Sequence, residues 1–388
     1  MYTKCLKYRL LPTPAQDTAL YQTLNTCRDV YNSLLNERKH DYEMHGKSPG
    51  RYEQQKHFPE WTKVHPEIKT IHSQVLQNVA VRVDLAFNAF FTRIKKGDNP
   101  GFPRFKRDGY DSFTYPQAGF KVCEQTVNLS KIGTVKATLH RPVEGKVKTC
   151  TVRRQNNKWF VCFAVEVESV PLPTSDEKIG IDVGLNQFAA LSNGEFIDNP
   201  RFFRKDEHAL AKAQRNLALQ KRDSHKRRKS KKVVGRIHER IRNRRHDFVH
   251  QSARKIVNHY GLIAVEKLNV KNMSKSPAPK QEEEMGKYLP NGHAAKAGLN
   301  KSILDAAWSM FRNVLTSKAE NAGRKVVSVN PAYTSQDCSN CGYRAKKNLS
   351  ERWHHCPMCG LPLDRDTNAA INILQTAVGQ HSVAGISA

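Results

Sequence analysis

The chain has 388 residues, with 64 Lys and Arg against 36 Asp and Glu, for a formal net charge of +28. That excess goes beyond what solubility needs and calls for a polyanionic partner: nucleic acid fits, whereas a membrane-surface protein finds no support in a chain without a run of about 18 apolar residues or an apolar signal core. Cys5, Cys27, Cys123, Cys150 and Cys162 lie scattered among apolar residues and read as core thiols of a reducing compartment, which argues against a disulfide scaffold.

Residues 1–11 alternate enough to form one strand. Thr13-Pro14 marks a helix start, threonine as cap and proline in the first turn; Leu20, Leu24, Cys27, Tyr31, Leu34 and Arg38 follow at helical spacing until a bend near Ser48-Pro49-Gly50. A second helix carries Leu76, Val79, Val83, Phe87, Phe90 and Ile94 and ends at Gly97, its aromatic stripe packed on the first. Its polar face, with Ser73, Gln74, Gln77 and Asn78, has residue types that read base edges, although a solvated face is the simpler account. The loop Asn99 to Arg107 mixes aromatics with basic residues, a composition suited to stacking and phosphate contact. Residues 113–168 then change period. Lys146 to Arg153 alternates, and Asn156-Asn157 turns the chain into Trp159 to Glu168. Short strands at this density predict a small antiparallel barrel, joined by the N-terminal strand, with the helices as an insertion.

Beyond a Pro171-Leu172-Pro173 linker, Lys178 to Ile197 reads as a β-meander. Its first strand is apolar except for Asp182, a charge that is costly there unless paired or metal-bound, and Gly180 and Gly184 leave room beside it. Residues 205–258 read as long helix with a loose middle, basic from Lys221 to Lys232 and again from Arg236 to Arg245, a run suited to phosphates. Gly261 to Leu268 is a short apolar strand with Glu266 at its far end, where sites form in parallel sheets. Met273 to Asn300 reads as a mobile loop or lid. Leu304, Ala307, Trp308, Phe311 and Leu315 give one more helix, stopped at Gly323; Arg324 to Val329 is a strand, and residues from Gly379 on read as frayed.

Two Cys-x-x-Cys-Gly knuckles, Cys338/Cys341 and Cys356/Cys359, can set four thiolates on one ion, and a site closed in this way implies structural zinc. His354 and His355 beside it read as solvent or nucleic-acid contacts, not ligands. Past the second knuckle, Asp366 precedes Ala369, Ala370 and Ile373 on one helical face, with Asp364 an equally good N-cap. The element order from residue 178 onward, three strands and then helix, strand, helix, strand, helix, matches a ribonuclease H-like fold, which can bring Asp182, Glu266 and Asp366 together. Three clustered carboxylates repel unless divalent cations sit between them, and hard oxygen donors suit Mg²⁺ or Mn²⁺ in phosphodiester hydrolysis.

The runs Gly180-Ile181-Asp182-Val183-Gly184, Val265-Glu266-Lys267-Leu268, Ser335-Gln336-Asp337-Cys338 with its double knuckle, Asp366-Thr367-Asn368-Ala369-Ala370 and Gly101-Phe102-Pro103-Arg104-Phe105 resemble TnpB, the transposon-encoded relatives of type V CRISPR effectors. The resemblance covers essentially the whole chain. It implies an α+β multidomain fold: a wedge β-barrel (1–11 and 112–172) carrying a helical recognition insertion (12–111), and an RNase H-like (RuvC) nuclease domain (173–333 and 363–388) with an inserted zinc ribbon (334–362). It implies an RNA-guided DNA endonuclease that takes a guide RNA (ωRNA or reRNA) from the transposon end and cuts double-stranded DNA beside a short transposon-adjacent motif. Asp182, Glu266 and Asp366 would bind Mg²⁺ or Mn²⁺, and Cys338, Cys341, Cys356 and Cys359 zinc; the family pattern assigns Asp366, not Asp364, to the triad. Contacts to the adjacent motif fall at Tyr52, Ser73, Gln74, Gln77, Thr114 and Tyr115. The expected state is a monomeric ribonucleoprotein with no membrane partner, at the nucleoid of a bacterial cytoplasm. Two alternatives remain: an RNA-guided repressor without cleavage, which the intact triad opposes, and a guide-independent resolvase or transposase, which the basic segments and helical insertion oppose.

Overall fold

The computed structural model describes residues 2–107, 109–282, 287–348 and 351–379. The chain forms two compact units, Met1–Glu168 and Ser169–Ala388.

The first unit opens with β1 (Tyr2–Leu11) and α1 (Pro14–His45). Thr13 caps α1 in a capping box: its hydroxyl accepts the Gln16 amide at 3.3 Å, and the Gln16 side chain accepts the Thr13 amide at 3.1 Å. Short helices α2 (Arg51–Lys56) and α3 (Phe58–Val64) lead to α4 (Ser73–Lys95). One buried network joins three of these helices. Arg38 of α1 donates to Gln54 of α2 at 2.7 Å and to Asp84 of α4 at 3.2 Å, and Gln54 donates to the Leu34 carbonyl at 2.9 Å. Leu76, Val79, Val83 and Phe87 bury the expected face of α4, but Ile94 is exposed. Phe90 is half-buried and meets Phe102, its ring centroid 5.5 Å away.

The strands β2 (Ser112–Tyr115), β3 (Phe120–Val122), β4 (Thr126–Leu129), β5 (Gly133–Thr138), β6 (Lys146–Gln155) and β7 (Lys158–Val167) join β1 in a seven-stranded antiparallel sheet, in the order β2-β6-β7-β1-β5-β4-β3. The first strand of the chain is therefore central, and the helices are an insertion. Asn156 (φ 48°) and Asn157 (φ 59°) make the left-handed turn that the β6–β7 hairpin requires. Among the described residues no ladder joins β2 to β3, so hydrogen bonds do not close the barrel expected from the sequence. The sheet ends meet through side chains, the Tyr115 ring lying 6.5 Å from that of Phe120.

In the second unit, β8 (Lys178–Val183), β9 (Gln187–Leu191) and β10 (Phe196–Asp198) form the meander. The expected long helix is two, α5 (Phe202–Ala218) and α6 (His225–His259), the second capped by Ser224, which accepts the Arg227 amide at 3.1 Å. Next come β11 (Leu262–Glu266), α7 (Val270–Met273), the hairpin β12 (Lys280–Gln281) and β13 (Tyr288–Leu289), α8 (His293–Ala306), α9 (Trp308–Asn321) and β14 (Lys325–Val329). The lid expected over Met273 to Asn300 is thus partly regular, and its residues 283–286 lie outside those described. The single helix expected through Leu304 and Leu315 breaks at Ala307 (φ 58°), which leaves Leu304 exposed while Trp308, Phe311 and Leu315 are buried. Asp305 stands beside the break. Its buried carboxylate accepts the Phe203 amide at 2.9 Å and Arg245 at 2.7 Å, fixing the end of α8 to α5 and α6.

These strands form a five-stranded sheet in the order β10-β9-β8-β11-β14, with β8, β11 and β14 parallel. After β14 the cysteine ribbon carries β15 (Trp353–His355) and β16 (Pro362–Asp364), and α10 (Arg365–Val378) returns to the sheet. Gly180 of β8 sets how closely α10 packs: a Cβ there would land on the Ala370 carbonyl oxygen and 2.9 Å from the Leu374 Cβ. Gly379 (φ 75°) caps α10, and the tail expected to fray beyond it, from residue 380 on, lies outside the described residues. No described helix is long and apolar enough to cross a membrane.

Gly180→Ala is expected to force α10 off β8 and to destabilise this unit by about 3 kcal/mol, the upper range for overpacking a core. Chemical unfolding measures this, and an unchanged midpoint would contradict the close packing.

Candidate active site and metal centre

The parallel register delivers two acids side by side. Ile181 of β8 pairs with Val265 of β11, so Asp182 and Glu266, one residue on, stand at neighbouring strand ends. Side chains alternate along a strand, and Asp182 therefore shares the Gly180 face, the one covered by α10. On α10 the two cap candidates separate. Asp364 Oδ1 accepts the Asp366 amide at 2.9 Å and the Thr367 amide at 3.0 Å, so Asp364 is the cap and the Asp366 carboxylate is left for the site. Asp366 Oδ2 lies 3.9 Å from where a Gly184 side chain would begin, which puts the β8 end beside this carboxyl.

All three carboxyls sit above their ordinary range. Burial raises Asp182 far up, and Glu266 and then Asp366 add to it. Burial also raises Asp366, with Asp364 adding. Burial raises Glu266 despite the Thr334 hydroxyl, which donates to its Oε1 at 2.9 Å. The carboxylate oxygens stand farther apart than one tight cluster, since among the described residues the cysteines alone hold three or more ligand atoms mutually within 4.8 Å. Hard oxygen donors with undercompensated negative charge are a set that divalent cations fit.

The cysteines form the second centre. Cys338 and Cys359 Sγ are 3.6 Å apart and Cys341 and Cys356 Sγ 3.5 Å, close to the edge of about 3.8 Å in a tetrahedron with Zn–S bonds of about 2.3 Å. The donor set therefore fits a structural metal such as zinc. Gly342 (φ 74°) and Gly360 (φ 71°) turn each knuckle, and their amides donate to the Cys338 and Cys356 carbonyls at 2.9 Å. His355 is exposed, but His354 is 0 % exposed and is not the solvent contact expected. The alternation of β15 turns Trp353 and His355 outward and His354 in, where its Nδ1 meets Lys347 Nζ.

Residues missed in the sequence bind the ribbon to α10. Asn368 accepts the Ser339 amide at 2.9 Å and donates to the Asp337 carbonyl at 2.8 Å. Asn372 donates to the carbonyls of Thr334 at 2.8 Å and Asp337 at 2.7 Å, and Gln375 to that of Ser339 at 2.9 Å. The available signal was a pair of asparagines four apart on the side of the helix opposite Ala369, Ala370 and Ile373.

The candidate motif-reading residues lie in the first unit. Tyr52, Ser73 and Gln77 are exposed, and Gln74 accepts the Ala118 amide at 2.9 Å. Thr114 accepts from Arg82 at 3.0 Å and bonds Thr151 at 2.9 Å. Arg82, also missed, donates to the Ser112 carbonyl at 2.6 Å and so ties α4 to β2. Tyr115 corrects its expectation: it is 1 % exposed and its hydroxyl donates to the Ser130 carbonyl at 2.9 Å, because the burial alternation of β2 turns it into the core.

Three family descriptions match the chain: "Probable transposase" over residues 160–277, "Cas12f1-like, TNB domain" over 308–373 and "Helix-turn-helix domain" over 1–47. The last segment is here one strand and one long helix, β1 and α1. "Putative RNA-guided DNA endonuclease InsQ" of Escherichia coli K12 is 33 % identical, covering 96 % of this chain and 91 % of that protein. A protein of Streptomyces pristinaespiralis named "Putative RNA-guided DNA endonuclease" is 31 % identical over 96 % of this chain and 88 % of its own. Among solved structures, Cas12f1 in its complex with sgRNA and target DNA shares the fold, with a TM-score of 0.56 at 14 % identity over 96 % of this chain and 98 % of that one.

In chelator, Asp182→Asn is expected to stabilise the protein. The raised folded pKa means that the protonated form supports folding in full below the ordinary Asp value of about 4, a contribution lost as pH rises through the folded value. The variant's advantage should therefore be large at pH 8 and vanish towards pH 4 in thermal melts. Cys356→Ser is expected to take bound zinc from about one ion per chain to none by elemental analysis.

Proposed function

Because this chain belongs to the TnpB family, we propose that it is an RNA-guided DNA endonuclease that cuts double-stranded DNA beside a short transposon-adjacent motif under a guide RNA from the transposon end. The observation that carries this reading is that Asp182 and Glu266 stand at neighbouring strand ends, with Asp366 at the start of α10 near enough to act on Asp182. The five-stranded sheet with α10 is read as the RNase H-like (RuvC) nuclease domain (173–333 and 363–388), and residues 334–362 as its zinc ribbon. The seven-stranded sheet is read as the wedge (1–11 and 112–172), and its helical insertion (12–111) as the recognition domain.

Asp182, Glu266 and Asp366 would hold Mg²⁺ or Mn²⁺, which when bound supplies an activated water and charge neutralisation at the leaving oxygen of a phosphodiester. The chain's own part is rigid placement. Two of the carboxylates ride on a hydrogen-bonded parallel pair, so the backbone positions that carry them cannot drift apart without breaking the ladder. Asp364 occupies the first amides of α10, so Asp366 is not drawn back onto its own backbone. The exposed cations of α6, among them Lys226, Arg228, Lys229, Lys231 and Lys232, suit the phosphates of a guide–target heteroduplex, in which base pairing reads the sequence. Tyr52, Ser73 and Gln77 are open to contact the adjacent motif, whereas Gln74 and Thr114 would exchange existing hydrogen bonds to do so. The working form is read as a monomeric ribonucleoprotein at the bacterial nucleoid.

The test is purification from cells that transcribe the transposon end, sequencing of the bound RNA, and incubation with plasmid carrying the matching target beside a randomised flank. The complex is expected to hold one RNA species and to linearise plasmid in Mg²⁺ but not in EDTA. Asp182→Ala should keep the RNA and lose cutting. Absence of bound RNA, or continued cutting by Asp182→Ala, would overturn the reading; target binding without cutting by the unaltered protein would make it a repressor.

A further inference from the structure

One neutral side chain reaches the acidic site from the ribbon. Thr334 is buried, and its hydroxyl stands 2.9 Å from Glu266 Oε1. The Pro331 carbonyl is also in reach, at 3.1 Å, but the carboxylate is the nearer and the charged acceptor, and so the stronger one. The backbone around Thr334 is held from both sides. Its carbonyl accepts from Asn372 at 2.8 Å, and Asn372, on α10, also bonds the Asp337 carbonyl at 2.7 Å. The preceding residue, Tyr333, takes φ 65°, a left-handed conformation disfavoured for a non-glycine. That turn is kept by the Gln336 and Asp337 amides, which donate to the Tyr333 carbonyl at 2.8 and 2.9 Å, and by the Arg344 guanidinium 3.7 Å from its ring centroid.

We propose that Thr334 is a positioning residue that fixes the Glu266 carboxylate, and that Asn372 holds Thr334 in place, so that the helix bearing Asp366 also sets Glu266. The proposal rests on the reading of Glu266 as a ligand for divalent cations. A glutamate at a strand end has three side-chain torsions and would otherwise sweep a wide arc. The hydroxyl engages Oε1 and leaves Oε2 as the carboxylate's other donor atom. Ligating carboxylates are commonly held in this way, and loss of such a partner typically costs 10- to 100-fold in metal affinity.

Direct Mn²⁺ binding to the full-length protein, by calorimetry and by electron paramagnetic resonance, tests this without requiring cleavage. The comparison is between the unaltered chain, Glu266→Gln, Thr334→Val, which keeps the shape but loses the hydroxyl, and Thr334→Ser, which restores it. Thr334→Val is expected to weaken Mn²⁺ binding by about 10-fold or more while retaining its zinc, with Thr334→Ser close to the unaltered chain. If Glu266→Gln weakens binding and Thr334→Val does not, or if serine fails to rescue, the positioning role is wrong and the metal reading stands. If Glu266→Gln binds Mn²⁺ as well as the unaltered chain, both readings fall.

Discussion

The approach of α10 to β8 over Gly180 is the constraint on which the second unit turns. A single missing Cβ lets a helix backbone lie on a strand at a distance no other residue would permit. Asp366 reaches the ends of β8 and β11 only because its helix lies that close. The opposite side of the same helix is equally committed, since Asn368, Asn372 and Gln375 satisfy backbone groups of the ribbon loop that burial would otherwise leave without partners. The ribbon is thus fastened to the helix that carries an acid, and α10 joins a cluster of thiols to a group of carboxyls.

Two aspartates, Asp305 buried and Asp182 partly so, contrast a charge matched by partners with one left among like charges. Asp305 is matched by Arg245 and by the Phe203 amide, and with them it locks three helices. Asp182 sits among carboxylates, and its largest charged influences, Glu266 and Asp366, oppose its ionisation. An arrangement of the second kind lowers stability wherever the acids stay charged without a cation, and it persists only because the surrounding apolar strands, with Ile179, Ile181, Ile263 and Val265 fully or almost fully buried, are strong enough to carry it.

Much of this was legible in the residues, and the remainder was hidden for identifiable reasons. Period-two and period-3.6 patterns disclosed the strands and long helices, the Asn156-Asn157 pair fixed a turn, and cysteine spacing located the ribbon. Periodicity could not disclose the break at Ala307, because the apolar spacing runs through it. It could not choose between Asp364 and Asp366 as cap, since both are two-carbon carboxylates and only backbone geometry separates them. The resemblance placed Tyr115 among contacts to the adjacent motif, and its burial could not be read in advance because it depends on whether the hydroxyl finds a partner, here the Ser130 carbonyl. Thr334 and Arg82 act through bonds to residues distant in sequence, and nothing local marks them.

The place of β1 has a consequence for how the chain is made. Its neighbours are β5 and β7, and Tyr2 finds its partner at Val167. A ribosome adding about 5 to 20 residues per second takes roughly 8 to 33 s over that interval, during which an edge able to pair with any passing strand is exposed. The lysines and arginine at positions 4, 7 and 9 put like charges along that waiting edge, a protection against premature pairing in nascent chains.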